Sequence, residues 1–348
     1  MFGKRGELTS EQLIAIILVI LGFVIVVSFF TQFGAKDYSE DEICKFSVLS
    51  RATASEVVDG AGNYIPLQCT TNKICLVAGG DGECPQFAGE KDVSYVRVPS
   101  YSVDKPEEVS LAALEISRVL AESTYNCWNL MGQGKLDLFN SVPDGIFPDF
   151  RKQSTCVICS RVAVGSDINN EVLARVDVSN YLKSTTIPGG SRTYLQVMTD
   201  DQFNSYVPLD ESKVEKSDFD LQQVRNNNSA REKAIVFMQF KSQDPVEVIK
   251  TQLQIGAGVG GTAFAFTPGG VLSFASKASN LVYTAAAVVT VAGLGAASAY
   301  AQQQTAVGYC GQLTTNDKDS RDGCSIVQTL NYNVQDIKNL CGSLQGSP

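Results

Sequence analysis

Residues 13–30 read LIAIILVILGFVIVVSFF, eighteen positions with one glycine, one serine and no charge. At the helical rise such a run extends about 27 Å, close to the roughly 30 Å hydrocarbon thickness of a bilayer. A helix this apolar on every side needs burial all round, which a chain terminus rarely offers, so the stretch predicts a transmembrane helix within residues 7–34. It exceeds the apolar core of a secretory signal, and no Ala-x-Ala site follows it. Lys4 and Arg5 precede it. Positive charge stays on the cytoplasmic side, so residues 1–6 are expected inside and the chain from about residue 31 outside.

A second apolar region lies late in the chain. Residues 255–276 carry no charge, Lys277 interrupts, and residues 278–301 again carry none. Small residues recur four apart, at Gly256/Gly260, Gly261/Ala265, Gly293/Ala297 and Gly295/Ala299. That spacing lets helix backbones approach closely in lipid. Residues 251–302 are therefore expected to form a Gly/Ala-rich helical hairpin with Lys277 at a cytoplasmic turn, and 303–348 a tail that returns outside. A buried hairpin in a soluble core suits the same composition.

Charge and cysteines fit this topology. Residues 31–250 hold 22 Lys and Arg against 31 Asp and Glu, which is all of the chain's net −9. An acidic domain is a poor match for phosphate, so no nucleic-acid partner is expected. The chain has no histidine, which removes the commonest general base and every His-ligated metal site. No catalytic residue, cofactor or metal site is assigned, and the protein is not expected to be an enzyme. The ten cysteines are Cys44, Cys69, Cys75, Cys84, Cys127, Cys156, Cys159, Cys310, Cys324 and Cys341. All fall on the outer side of the proposed membrane, which favours disulfides, although sequence does not fix their pairing. With three cysteines in the tail, at least one must bridge back to the main domain if all are paired. Asn227-Asn228-Ser229 is a glycosylation sequon, with Asn227 as the acceptor.

Lys4-Arg5-Gly6 followed by Glu7, with Glu11 four residues on and then an apolar helix, resembles the class III signal of type IV pilin-like proteins, archaeal ones especially. The resemblance implies cleavage between Gly6 and Glu7 by a prepilin peptidase, leaving Glu11 as the fifth mature residue. A buried acid there could pair with a neighbouring subunit's terminal amine. The resemblance covers about the first 30 residues. A second membrane-embedded region departs from the family's single helix and fits a membrane-resident accessory protein better than a filament subunit.

Between the apolar regions, residues 35–250 predict an α+β domain with a mixed or antiparallel sheet. Residues 35–100 predict short strands and loops. Asp104-Lys105-Pro106-Glu107 predicts a helix start capped by Asp104, running to about Met131 with Gly132 or Gly134 ending it. Strands are expected at Thr155–Val164, Tyr194–Met198 and Ala234–Phe240, and helix at 170–183. Cys156-x-x-Cys159 falls in the first of these strands. Three residues apart on a strand point to opposite faces, so each cysteine is expected to take a different partner. Gly256-x-Gly258-x-x-Gly261 lacks the strand, helix and acid of a dinucleotide site, and Asp317-x-Asp319-x-x-Asp322 lacks the glutamate of a calcium loop.

The function these readings predict is a membrane-anchored cell-surface structural or interaction protein, an accessory part of a surface or pilus-like assembly. Its expected partners are the lipid bilayer, prepilin peptidase and other membrane or surface proteins, and a homo-oligomer is compatible. The alternatives are a membrane-inserting or pore-forming protein acting through the hairpin, and an extracytoplasmic thiol oxidoreductase.

Overall fold

The computed structural model describes residues 20–21, 40–57, 65–79, 82–139, 154–198, 217–219, 224, 231–241, 263–264, 273–275, 282–284, 291–292, 306–313, 321–334, 337–338 and 341–346. Contacts divide the chain into Met1–Ile43 and Cys44–Pro348. In the first unit Ile20 and Leu21 are helical and exposed; the rest of the apolar run 13–30 lies outside the described residues. Among those described, no helix is long and apolar enough to cross a membrane.

The main unit is α+β, built on one mixed seven-stranded sheet. The strands are β1 (Asn72–Val77), β2 (Val93–Arg97), β3 (Thr155–Val164), β4 (Glu232–Lys241), β9 (Ala306–Leu313), β10 (Arg321–Asn331) and β11 (Ser343–Gln345). Their order is β2-β1-β3-β4-β10-β9. β1 runs parallel to β2 and β3, and β4, β10 and β9 follow as antiparallel neighbours. β11 lies parallel to the first half of β3, on the edge whose second half is taken by β1. Every residue of β3 is buried. A strand covered on both faces reads as a continuous apolar run, which is why Thr155–Val164 is legible in the sequence. Residues 306–345 supply three strands, so the tail expected beyond the hairpin is part of the domain's own sheet.

The helix α1 (Glu40–Val57) lies where short strands and loops are expected. Cys44, Ser47, Val48, Arg51 and Ala52 are its buried face, a helical spacing of three and four. Cysteine, serine and arginine on that stripe hide its amphipathicity from a hydrophobicity pattern. Its first turn holds Glu40, Asp41 and Glu42, favourable at a helix N-terminus.

The long helix α2 (Pro106–Leu130) packs against β3, β4 and β10. It buries Val109, Ala112, Ala113, Ile116, Leu120, Thr124 and Trp128. Its start corrects the expectation: Lys105 is the N-cap and Pro106 opens the helix, with no side-chain cap from Asp104. Glu108 instead accepts from the Ser102 backbone N–H at 2.8 Å and from Lys105 Nζ at 2.7 Å, closing the entry turn. The end agrees. Met131 is the C-cap, and Gly132, Gln133 and Gly134 all have positive φ, at 65°, 57° and 67°. Gly134 also sits under the Trp128 ring, where any Cβ would collide with the indole. Gly134→Ala is expected to cost about 2–4 kcal/mol through the left-handed backbone and the overpacked ring. Trp128 is the one tryptophan and 2% exposed, so its fluorescence during thermal unfolding reads this loss directly.

Three short helices, α3 (Asn170–Leu173), α4 (Val178–Ser184) and α5 (Tyr194–Met198), flank α2. α5 replaces the strand expected there. Thr193 and Gln196 cap each other, with Thr193 N–H to Gln196 Oε1 at 2.9 Å and Gln196 N–H to Thr193 Oγ1 at 3.2 Å. This reciprocal cap starts a helix whatever the β propensity of the residues inside. Tyr194, Leu195 and Met198 then fall on one buried face, with the Tyr194 ring edge-on to Tyr125 at 5.2 Å.

Within 251–302 the described residues are all strand, not helix. β5 (Ala263–Phe264) pairs with β8 (Val291–Ala292), and β6 (Ser273–Ala275) with β7 (Val282–Thr284), both antiparallel. Val282, Thr284 and Val291 are β-branched and Phe264, Phe274 and Tyr283 aromatic, types that favour a pleated ladder over the expected helical hairpin. Gly256, Gly260, Gly293 and Gly295 lie outside the described residues, as does the Gly256–Gly261 motif.

Candidate functional site, the disulfide framework and the Arg161 cluster

Among the described residues, four disulfides organise the domain. Cys44–Cys69 ties α1 to the approach to β1, and Cys75–Cys84 ties β1 to the loop that follows it. Cys127–Cys159 joins the last turn of α2 to β3, and Cys156–Cys341 joins β3 to the C-terminal segment. The expectation that Cys156 and Cys159 take different partners is therefore met, as is a bridge from the tail to the main domain. Both are buried, at 0% and 4% exposure, with their sulfurs bonded elsewhere. Thiol exchange needs an accessible thiolate, which this geometry does not present. Cys310 and Cys324 lie on β9 and β10.

β3 also carries a buried charge that the sequence reading missed. Arg161 Nε donates to Glu232 Oε1 at 2.6 Å, and its Nη1 to Glu90 at 2.9 and 3.0 Å. The guanidinium lies 4.9 Å from the Phe87 ring centroid and 4.2 Å from that of Tyr332. Lys73 completes the group, 2.9 Å from Glu90. One arginine thus joins β3, β4, the loop after β1 and the segment after β10. Burial works against its charge, but Glu232 and Glu90 outweigh burial and hold the guanidinium above its usual range. Burial lifts the Glu232 carboxyl above the ordinary carboxylate range despite Arg161. Glu90 is half-buried, which works to raise it, yet hydrogen bonds from Lys73 and Arg161 hold it below that range. The available signal was a lone arginine within an apolar strand, TCVICSRVAV, which demands a buried partner.

Other buried cations anchor backbone. Arg51 Nε donates to Leu138 O at 2.7 Å and Nη1 to Gln345 Oε1 at 2.5 Å, linking α1 to β11. Arg231 holds Gly165 O and Ile168 O at 2.9 and 3.0 Å. Lys233 donates to Asp218 O and, at 2.8 Å, to Asn331 Oδ1.

In sheets with parallel strands, ligands commonly bind beyond the strands' C-terminal ends. Here that place, past β1 and β3, is filled by Asp167. Its Oδ2 accepts from Ala78 N–H at 2.8 Å and Gly79 N–H at 3.0 Å, and a Cβ on Gly165 would strike its Oδ1. The amides that could cradle an anion are satisfied from within. Among the described residues, no group of three or more His, Cys, Asp or Glu could hold a metal ion.

Gly6, Glu7, Glu11 and Asn227 lie outside the described residues. Compared with protein-family models, curated proteins and solved structures, the chain matches none.

Proposed function

We propose that this is a membrane-anchored cell-surface protein with a structural or interaction role, an accessory component of a surface or pilus-like assembly. Its α+β domain lies outside the cell. The observation that carries the reading is the disulfide framework: eight cysteines in four bridges, two of them converging on the central strand. Bridges of this density form and persist in oxidising compartments. The uncharged run 13–30 behind Lys4 and Arg5 supplies the anchor and its orientation. A histidine-free, acidic domain whose buried charges hold its own backbone and carboxylates suits a scaffold that meets partners through its surface.

The test is expression of the full chain beside an active prepilin peptidase, with intact-mass analysis of the membrane fraction. Loss of residues 1–6, leaving Glu7 first, is expected, and Gly6→Val retains them. Full-length mass for both chains in the membrane fraction removes the pilin-like part and leaves an ordinary signal anchor. Recovery in the soluble cytoplasmic fraction contradicts the whole reading.

A further inference from the structure

We infer that Cys310 and Cys324 are joined in a fifth disulfide, a cross-strand bond that locks the edge strand β9 to β10. Two observations carry this. Eight of the ten cysteines are already engaged in four bridges, leaving these two for each other. The antiparallel ladder of β9 and β10 then sets them directly opposite, Cys324 against Cys310. That register runs without a shift from Arg321↔Leu313 to Gln328↔Ala306, so the match is fixed by the whole ladder. Directly opposed residues in an antiparallel pair have Cα atoms about 4.5 or 5.5 Å apart, and either value lies within the roughly 4.4–6.8 Å that a disulfide spans. The four bridges seen have Cα separations of 4.4 to 5.9 Å. Side chains alternate faces along a strand, so the cysteines share their face with the pairs two positions away, one of which, Ile326↔Gly308, includes a glycine.

The inference rests on the extracytoplasmic reading, because the bond needs an oxidant. A disulfide of a thiol-exchange partner supplies it. One thiolate attacks that disulfide and expels a thiolate. The second cysteine then displaces the partner from the mixed disulfide. Two protons and two electrons leave the protein, and the partner becomes a dithiol. The bond matters because β9 ends the sheet's hydrogen-bonded path and is the strand through which the chain re-enters the sheet after 251–302. A clamp there holds the edge strand in register with β10.

The experiment is peptide mapping of the full-length protein, purified from membranes without reductant, blocked with iodoacetamide while denatured, and digested with trypsin. Lys318 and Arg321 lie between the two cysteines and Lys338 separates Cys324 from Cys341, so trypsin places each on its own peptide. The expected result is one species joining the Cys310 and Cys324 peptides, split by reduction. Single replacement C310A is expected to raise the alkylated thiols from zero to one, at Cys324. If Cys310 and Cys324 are alkylated while the other eight stay bridged, the inference fails and the extracytoplasmic reading stands. The inference also fails if either residue is found linked to a different cysteine. If all ten are alkylated, both fail.

Discussion

Replacing Cys156 and Cys341 together with alanine is expected to destabilise the domain by about 4–5 kcal/mol, the largest loss of any disulfide removed. The bridge spans 185 residues, against 9 for Cys75–Cys84. Loop-closure entropy grows with the logarithm of that length, so the same double replacement at Cys75 and Cys84 is expected to cost only about 2.5 kcal/mol. The native state adds to the difference. Cys341 delivers the segment in which Gly342 and Ser343 N–H donate to Ser154 O, at 3.0 and 3.1 Å. β11 then pairs with β3, and Gln345 accepts from Arg51. Without the bridge the short β11 has three register pairs to hold it, and its release takes the Gln345 acceptor away from Arg51. Thermal unfolding followed by Trp128 fluorescence, with limited proteolysis of the C-terminal segment, checks both parts. Equal losses from the two replacements would show that loop length is not what this bridge constrains.

Arg161→Met is expected to cost about 3–5 kcal/mol near neutral pH, because it strands Glu232 in the interior. The Glu232 side chain is 5% exposed and Arg161 is its salt-bridge partner. The loss should shrink in acid, and the sign follows from both carboxyls. Glu232 is already raised by burial, and without Arg161 it rises further, so the variant gains stability as pH falls and that carboxyl takes up a proton. Glu90 is held low in the parent, so its contribution is present above the ordinary glutamate value and lost as pH falls through its own value in the folded protein. Both effects bring parent and variant together toward acid pH. The double replacement R161M/E232M removes the stranded charge as well and should recover most of the loss. Unfolding midpoints at neutral and mildly acidic pH measure this. A pH-independent loss with no recovery in the double variant would assign Arg161 a packing role between Phe87 and Tyr332 instead.

These two sites also mark the limits of the sequence. Strand β3 and helix α2 are legible because each carries a long apolar pattern of one period. The different partners of Cys156 and Cys159 follow from strand alternation. The partners themselves are not legible: Cys341 lies 185 residues from Cys156, and only the folded sheet brings β11 to β3. Arg161 is visible as an oddity in an apolar strand, but Glu232 and Glu90 become its partners only through the β3–β4 pairing and the loop after β1. α1 escaped because its buried stripe is small or polar. α5 escaped because a cap outside the segment overrides the strand preference within it. In 251–302, small residues at helical spacing and β-branched residues compete, and the described ladders follow the second signal.

The most direct test of an oxidised domain outside the membrane is thiol labelling of intact cells expressing the full chain, with a membrane-impermeant maleimide before and after an external reductant. No labelling is expected at first, and strong labelling after reduction, without lysis. Labelling that appears only after lysis, and needs no reductant, would mean a reduced domain inside the cell and would contradict the extracytoplasmic reading.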